Sequence, residues 1–531
     1  MLAFFPVFVI TLPAWAVHVL AFVVPVAYAA AFAYAAGRIL AKKPGGSAPG
    51  VGELLAPTCS ARPYPIILGT PPVDPAPNVL SWWGKAYYPI RHKSTTVGSY
   101  IRIQCHLGLW QRGIDGVLQA YCNGVCVWPT VKDETDFAAE GLTTMNIAAG
   151  NVFGGPLAGG GIDTNMTIEY GDDAQTQNAE LVAEYGADVP AHRGFVGALG
   201  MVAWTNNAQI PQIAMLAKAT KKMPDGTDIW YVAKATIGTL DANPAHMIYK
   251  LLTIDKWDGG EGMTAEDFDE DTWTAAADTL YDEGLGLSAI VTPEGEAVQD
   301  VIDQILIVIS GVIRRDHATG KLQLKLIRDD YEIDELPIFD ANDVTAISNF
   351  QRPSPYAIPS RTLVNWSNRL HPAAAPAPGQ YNDSTLITMQ GGRVNEQVWN
   401  MPLICDADVA NAVAGRLGRQ SGAMGVPMTL TCKRTMSHLR AGDAFRLSFA
   451  HPNLTITQMV VRVGEVNLGS LAAPAVTIKV SEDVFATGYT VMGAPPASAA
   501  PPETGFDGEF AIDTIDVSAT ATVAVTSTVP A

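Results

Sequence analysis

The chain has 531 residues and a mass of 56.3 kDa, which exceeds one ordinary hydrophobic core and predicts roughly three or four domains of about 150 residues each. It is 48% hydrophobic and only 16% charged, and its 34 Lys and Arg against 53 Asp and Glu give a net charge of −19. These values exclude an acidic disordered protein, a collagen-like fibre and a nucleic-acid binder that depends on basic charge. They predict a large protein that buries much of its surface against partners.

The amino-terminal segment, residues 2–37, contains no Asp, Glu, Lys or Arg. As one continuous helix it would be about 54 Å long, well beyond the roughly 30 Å apolar core of a bilayer. Pro6, Pro13 and Pro25 divide it into two or three shorter helical pieces. A signal peptide fits poorly because no basic region precedes the apolar run. Two interpretations stay open: a membrane anchor, or apolar helices buried against copies of themselves at a symmetry axis.

The region from 64 to 127 predicts β-strands. Residues 99–110 alternate between apolar and polar side chains, and 82–88 are rich in aromatic residues. Residues 134–171 are rich in glycine and predict a long surface loop or insertion. The glycine string at 154–161 is not a phosphate-binding loop, because it lacks the Gly-Lys-Ser/Thr ending and a strand–turn–helix context.

Six cysteines are too few and too scattered for a disulfide framework in a chain of this length. Cys122 and Cys126, with Cys105 and His106 upstream, form a weak cluster, since a zinc site needs tighter pairs and a second pair at a distance. Buried free thiols are the expectation. A disulfide from Cys122 or Cys126 stays open, because the Asn-Gly between them favours a tight turn.

The clearest local patterns lie between 243 and 364. Asn243 followed by Pro244 predicts a capped helix, Thr264 begins a capping-box motif, and residues 272–283 predict a helix. Residues 285–291 predict a strand, 296–313 an apolar helix, and 317–328 a turn and an alternating strand. Between Lys256 and Arg314 fourteen acidic residues and no basic residue occur, which accounts for −14 of the net charge of −19.

Several of these segments resemble the hub or tip proteins of long-tailed bacteriophages and gene transfer agents, and more distantly the amino-terminal part of lambda's tip attachment protein. The resemblance rests on Ala-Ala-Ala-Asp-Thr-Leu-Tyr-Asp-Glu-Gly-Leu-Gly-Leu-Ser at 275–288 and on Asp-His-Ala-Thr-Gly-Lys-Leu-Gln-Leu-Lys-Leu-Ile-Arg at 316–328. Tyr-Pro-Ile-Ile-Leu-Gly-Thr at 64–70 and Trp-Trp-Gly at 82–84 also resemble the family. The similarity covers about 60–480 apart from an insertion near 134–235.

The resemblance implies a structural virion protein, made in the host cytoplasm and located at the distal end of the tail. It implies a homotrimer that closes the tail tube, adapts a sixfold tube to a threefold tip and opens for DNA ejection. The implied partners are the distal tail protein, the carboxy terminus of the tape-measure protein, and a tail fibre or receptor-binding protein. Phage DNA would pass through the lumen only in transit, and the host membrane is a further expected contact at ejection.

The expected fold class is α+β and predominantly β, with two tube-like β-barrel domains, a small α/β domain and the apolar amino-terminal helical segment. The expected domains are an apolar segment and linker at 1–50, a β-rich hub domain at 51–133, a Gly-rich insertion domain at 134–235, an α/β hub domain at 236–345, a β-barrel hub domain at 346–490, and a carboxy-terminal linker and tail at 491–531. Strands and one helix, at 406–420, are expected in the barrel domain.

Two functional sites follow as hypotheses. The apolar segment would plug or line the lumen and be released towards the host membrane, and its large side chains are Phe4, Phe5, Phe8, Trp15, Phe22 and Phe32. An acidic lumen face would keep DNA from adhering to the channel wall, with Glu266, Asp267, Asp269, Glu270 and Asp271 as its candidates. The simpler interpretation of these acids is a solvated helix start, where negative charge is favourable.

No catalytic motif supports an enzyme, and no cofactor or metal site is expected. The chain has no Gly-x-Ser-x-Gly, no His-Glu-x-x-His and no P-loop. The acidic run at 267–271 begins like a calcium loop, but Thr272 stands where glycine is required. The alternatives that remain are a membrane-anchored bacterial envelope protein and a tail-tip cell-wall hydrolase.

Overall fold

A computed structural model describes residues 64–73, 78–122, 124–129, 137–149, 161–205, 213–255, 260–292, 298–369, 375–422, 425–451, 454–469 and 475–487. The described chain is mostly β with a few helices, which confirms the α+β, predominantly β fold class. The apolar segment 2–37 and the carboxy-terminal tail lie outside these residues.

The strands are β1 (Ile66–Leu68), β2 (Asn78–His92), β3 (Thr95–Gln111), β4 (Gly116–Cys122), β5 (Val125–Trp128), β6 (Thr144–Ala149), β7 (Ile162–Glu169), β8 (Phe195–Thr205), β9 (Ile213–Lys218), β10 (Thr236–Ile237), β11 (Asp241–Ala242), β12 (Ala289–Val291), β13 (Gly311–Arg315), β14 (Leu322–Leu326), β15 (Ile338–Phe339), β16 (Val344–Ser348), β17 (Arg361–Asn365), β18 (Gly379–Asn382), β19 (Glu396–Asn400), β20 (Pro427–Cys432), β21 (Ala444–His451), β22 (Leu454–Asn467) and β23 (Val476–Glu482). The helices are α1 (Ala179–Tyr185), α2 (Pro244–Thr253), α3 (Glu270–Asp282), α4 (Val298–Ile309), α5 (Ser384–Met389) and α6 (Ala407–Gly422).

The first part of the chain builds two antiparallel sheets around one core. One has the strand order β2-β3-β8-β7-β6 and the other has the order β5-β4-β9. Ile101, Ile103 and Leu107 of β3 point into this core with Met166 of β7. Apolar side chains at every second position of β3 explain why one face is buried.

Residues 134–171 do not form one long loop, as the glycine content suggested. They contain β6 and β7, because Thr144–Ala149 and Ile162–Glu169 both alternate buried and exposed side chains. The glycine string at 154–160 lies outside the described residues. The sheet of β2, β3 and β6–β8 draws strands from both sides of the domain boundary expected at 133/134, and the domain boundaries themselves stay predictions.

The middle part is an α/β unit in which α2 begins as predicted. The side chain of Asn243 caps α2 by accepting a hydrogen bond from the Ala245 amide, with Pro244 in the first turn. Trp273 of α3 is 1% exposed and donates from Nε1 to the Leu322 carbonyl. The strand expected at 285–291 is limited to β12, which pairs with β1, and the helix expected to reach 313 ends at Ile309.

The last part has a six-stranded sheet of order β15-β21-β22-β23-β20-β16 and a three-stranded sheet of order β18-β17-β19, against which α6 packs. The two edge strands of the larger sheet, β15 and β16, are joined by residues 340–343. The sheet contains Leu430, Phe445 and Ile478, which are buried in its core. The expected strands are therefore present, and closure into a barrel stays a prediction.

The described cysteines are free thiols: Cys105, Cys122, Cys126, Cys405 and Cys432. This confirms the expectation of free thiols for these five residues and excludes the disulfide considered for Cys122 or Cys126. Burial raises the pKa of the Cys105 and Cys122 thiols to about 12, which makes them poor nucleophiles. None of the helices in the described ranges combines the length and the hydropathy that crossing a bilayer requires.

Candidate functional site

The candidate acidic residues lie together at the start of α3. Asp267 ends a short 3-10 turn and forms a capping box with Thr264, whose backbone amide donates to Oδ2 at 2.9 Å. That hydrogen bond lowers the pKa of Asp267. Asp269 accepts from Nε2 of Gln323 at 2.7 Å.

The other three candidates, Glu266, Glu270 and Asp271, are exposed. Glu270 and Asp271 occupy the first turn of α3, where the unpaired backbone amides favour negative charge. The position and bonds of the five acids thus agree with the simpler interpretation of a helix start. Their proposed position on a lumen wall stays a prediction. The six large apolar side chains of the amino-terminal segment, Phe4 to Phe32, lie outside the described residues.

A second candidate surface is the free edge of β2. Within the described residues β2 pairs only with β3, and the two strands form a long hairpin. Within the described residues the pairing of β3 with β8 begins at Tyr100, which lies opposite Tyr88 of β2. Leu80, Trp82 and Tyr88 are exposed on β2, and we call them the edge surface.

A 15-residue edge strand that carries exposed apolar side chains readily pairs or packs with another chain. Gly84, at φ +64°, marks a bulge that shifts the register between Trp83 and Ala86. The edge surface therefore has the properties of an assembly interface. The aromatic content of 82–88 signalled this region in the sequence, but not that β2 lies at an edge.

A third group escaped the sequence analysis: His106 in β3, Glu169 at the end of β7 and His192 in the loop before β8. Their ligand atoms all lie within 4.8 Å of one another. They are 63 and 23 positions apart in the chain, so no spacing motif connects them. Only the pairing of β3 and β7 with β8 brings them together.

Comparisons with known proteins give structural neighbours only. No protein-family model and no curated protein matches the sequence. The structure is similar to a chain described as "Virion of native gene transfer agent (GTA) particle", with 13% identity, 89% of this chain and 99% of that chain covered, and a TM-score of 0.52.

Further neighbours are a tail protein from Neisseria meningitidis MC58, with 9% identity, 69% and 97% coverage and a TM-score of 0.30, and the 43 kDa tail protein of prophage MuSo2 from Shewanella oneidensis, with 10% identity, 70% and 98% coverage and a TM-score of 0.27. The neighbours are thus virion and tail proteins. At the level of the fold, the resemblance to gene transfer agent proteins is confirmed: this chain has the fold of a protein from a gene transfer agent virion.

Proposed function

We propose that the chain is a structural virion protein that forms the trimeric hub or tip of a phage-like tail. The observation that carries this proposal is the fold match to a gene transfer agent virion chain, which covers nearly all of both chains. A match over single domains would fit many functions, because common folds are reused. A match over nearly the whole length of both chains supports a shared architecture and with it a shared structural role.

The edge surface supports assembly with further copies of the chain. Leu80, Trp82 and Tyr88 would pair or pack against a neighbouring subunit, so that the free strand of each hairpin is covered. Three subunits with two tube-like domains each would present six similar faces to a sixfold tube. The distal tail protein and the tape-measure carboxy terminus would bind above this ring, and a fibre or receptor-binding protein below it.

In this arrangement residues 2–37 lie on the threefold axis and plug the lumen until ejection. Three uncharged segments can bury their apolar surface against each other, which stabilises the association by about 25 cal/mol per Å². Glu266, Glu270 and Asp271 would face passing DNA. A map of the resting particle that places residues 2–37 away from the axis would contradict the plug. Cysteine pairs that lock the three segments together should block DNA ejection.

The central test is the oligomeric state and the position in the particle. In detergent-free buffer the purified chain should have three times the mass of 56.3 kDa, and a map of the intact particle should place it, with threefold symmetry, at the distal end of the tail. A monomer in buffer together with density elsewhere in the particle would refute the proposal. Aggregation that only detergent reverses would favour the membrane-anchored alternative, and a clearing zone on a peptidoglycan zymogram would favour the hydrolase.

A further inference from the structure

The group of His106, Glu169 and His192 lies on the face of the first sheet that is turned away from its main core. In the strand register, His106 is opposite Leu199 of β8, while Glu169 is opposite Gly197, two positions earlier on the same strand. Side chains two positions apart point to the same face. The imidazole of His106 and the carboxylate of Glu169 therefore meet diagonally across β8.

Gly197 leaves the space in which they meet. A Cβ at this position would lie 3.2 Å from Nε2 of His106 and 3.5 Å from Oε2 of Glu169. The distance to His106 is shorter than most real Cβ contacts, so a larger residue would crowd the histidine. The third member, His192, comes from the loop between α1 and β8, and its ring lies edge-on to that of His106 with centroids 4.5 Å apart. Two strands and one loop thus converge on one small volume.

Two polar atoms in this volume are buried without a hydrogen-bond partner in the described part of the chain: Nε2 of His106 and Oε2 of Glu169. The two residues are 1% and 9% exposed. Buried polar groups are almost always satisfied, because an unpaired one costs about 1–3 kcal/mol. The two atoms are 3.4 Å apart, which is long for a hydrogen bond. The same separation is close to the roughly 3.4 Å between two ligands of a tetrahedral ion with bonds of about 2.1 Å.

A hydrogen bond orients the carboxylate of Glu169. The Asn178 side chain donates to the other carboxylate oxygen, Oε1, at 2.8 Å, which orients Oε2 toward the histidines.

We propose that His106, Glu169 and His192 bind a divalent transition-metal ion that fastens the loop before β8 to the sheet. Two imidazoles and one carboxylate are a ligand set for Zn²⁺ and related ions, whereas Mg²⁺ and Ca²⁺ prefer oxygen ligands alone. The site is independent of the proposed hub function. The competing explanation is a direct pair between a protonated His106 and Glu169, with no ion.

The test is a Zn²⁺ titration of the full chain after chelator treatment, with a competing chromophoric chelator as the readout. We expect one Zn²⁺ per chain and no competition from millimolar Mg²⁺. The informative variant is His192→Asn, because His192 has φ +51° and Asn tolerates this left-handed conformation. It should bind Zn²⁺ about 100-fold more weakly or worse. His317→Asn, in an exposed turn, is the matched control and should bind as wild type does.

A second measurement separates loss of a ligand from loss of the fold. Saturating Zn²⁺ should raise the melting temperature of the wild type and of His317→Asn, because the ion binds only the folded chain. It should not raise that of His192→Asn or of Glu169→Gln, whose melting without metal should stay cooperative. A wild-type chain that binds no Zn²⁺, or a His192→Asn variant that binds it equally well, would overturn the site in favour of the ion-free pair.

Discussion

A buried lysine connects two parts of the chain at the scale of single residues. Lys250 of α2 is 4% exposed, and its ammonium donates to the Gly113 carbonyl at 2.8 Å, in the turn between β3 and β4. Burial lowers its pKa from 10.5 to about 8, although the charge of Asp115 acts in the opposite direction. Because the unfolded chain holds this proton up to a higher pH, the folded chain should gain stability as the pH rises from about 8 to about 10.5.

This dependence should disappear in Lys250→Met, which keeps the length of the side chain but cannot titrate. Between pH 8 and pH 10 the wild type should gain up to about 2 kcal/mol of unfolding free energy relative to the variant. Urea unfolding at both pH values measures the difference. Lys321→Met, at an exposed turn, is the control and should leave the pH dependence of the wild type unchanged. An identical pH dependence in wild type and Lys250→Met would show that Lys250 is not desolvated.

What the sequence predicts at this scale depends on whether a residue acts locally. The free cysteines and the Asn243 cap follow from composition and from neighbours two or three positions away. The group of His106, Glu169 and His192 does not, because its geometry depends on the register of three strands and on the missing side chain of Gly197. Each of its members, taken alone, is an ordinary polar residue in a β-rich region.

At the scale of elements, motifs with strong local signals gave nearly correct boundaries. The helix expected at 406–420 is α6, and the helix expected at 272–283 is α3, which starts two residues earlier. Of the loop or insertion expected at 134–171, the single long loop is wrong, because β6 and β7 alternate buried and exposed side chains within it. These two strands are stabilised by pairing with each other and with β8, which local propensity does not report.

The acidic start of α3 offers a test of its structural role. Glu270→Gln combined with Asp271→Asn removes two charges that interact favourably with the helix amino terminus. The double variant should lose about 1 kcal/mol of unfolding free energy at low ionic strength, and less in 1 M salt. Thermal and urea unfolding give the measurement.

The control for this pair is Glu184→Gln, which removes an exposed acid near the carboxy-terminal end of α1 and should be neutral or slightly stabilising. Equal losses in both variants would mean that the position of the acids in the helix does not matter. The proposed lumen face predicts an additional effect, slower DNA ejection by particles carrying the folded double variant. Ejection at the normal rate would count against the lumen face alone.

At the scale of the whole molecule, the order of the parts was predictable and their pairing was not. The resemblance predicts β-rich segments before and after an α/β part, and the structure shows the same order. It did not predict that β6, β7 and β8 would extend the sheet begun by β2 and β3. This sheet leaves β2 at an edge, and the edge is the feature from which assembly can be tested.

Trp82→Lys introduces a charge into the edge surface, where natural edge strands use lysine to prevent pairing with other chains. Trp82 is 37% exposed, so the monomer should keep its fold. The association of subunits should weaken at least about 30-fold, since an aromatic residue at the centre of an interface commonly contributes about 2 kcal/mol or more. Mass measurements over a range of protein concentrations follow the change from trimer to monomer.

Tyr356→Lys, at an exposed tyrosine outside the edge surface, is the matched control and should assemble as wild type does. If Trp82→Lys remains trimeric down to the lowest concentration at which the wild type does, the subunits meet through another surface, and the free edge of β2 has a different partner.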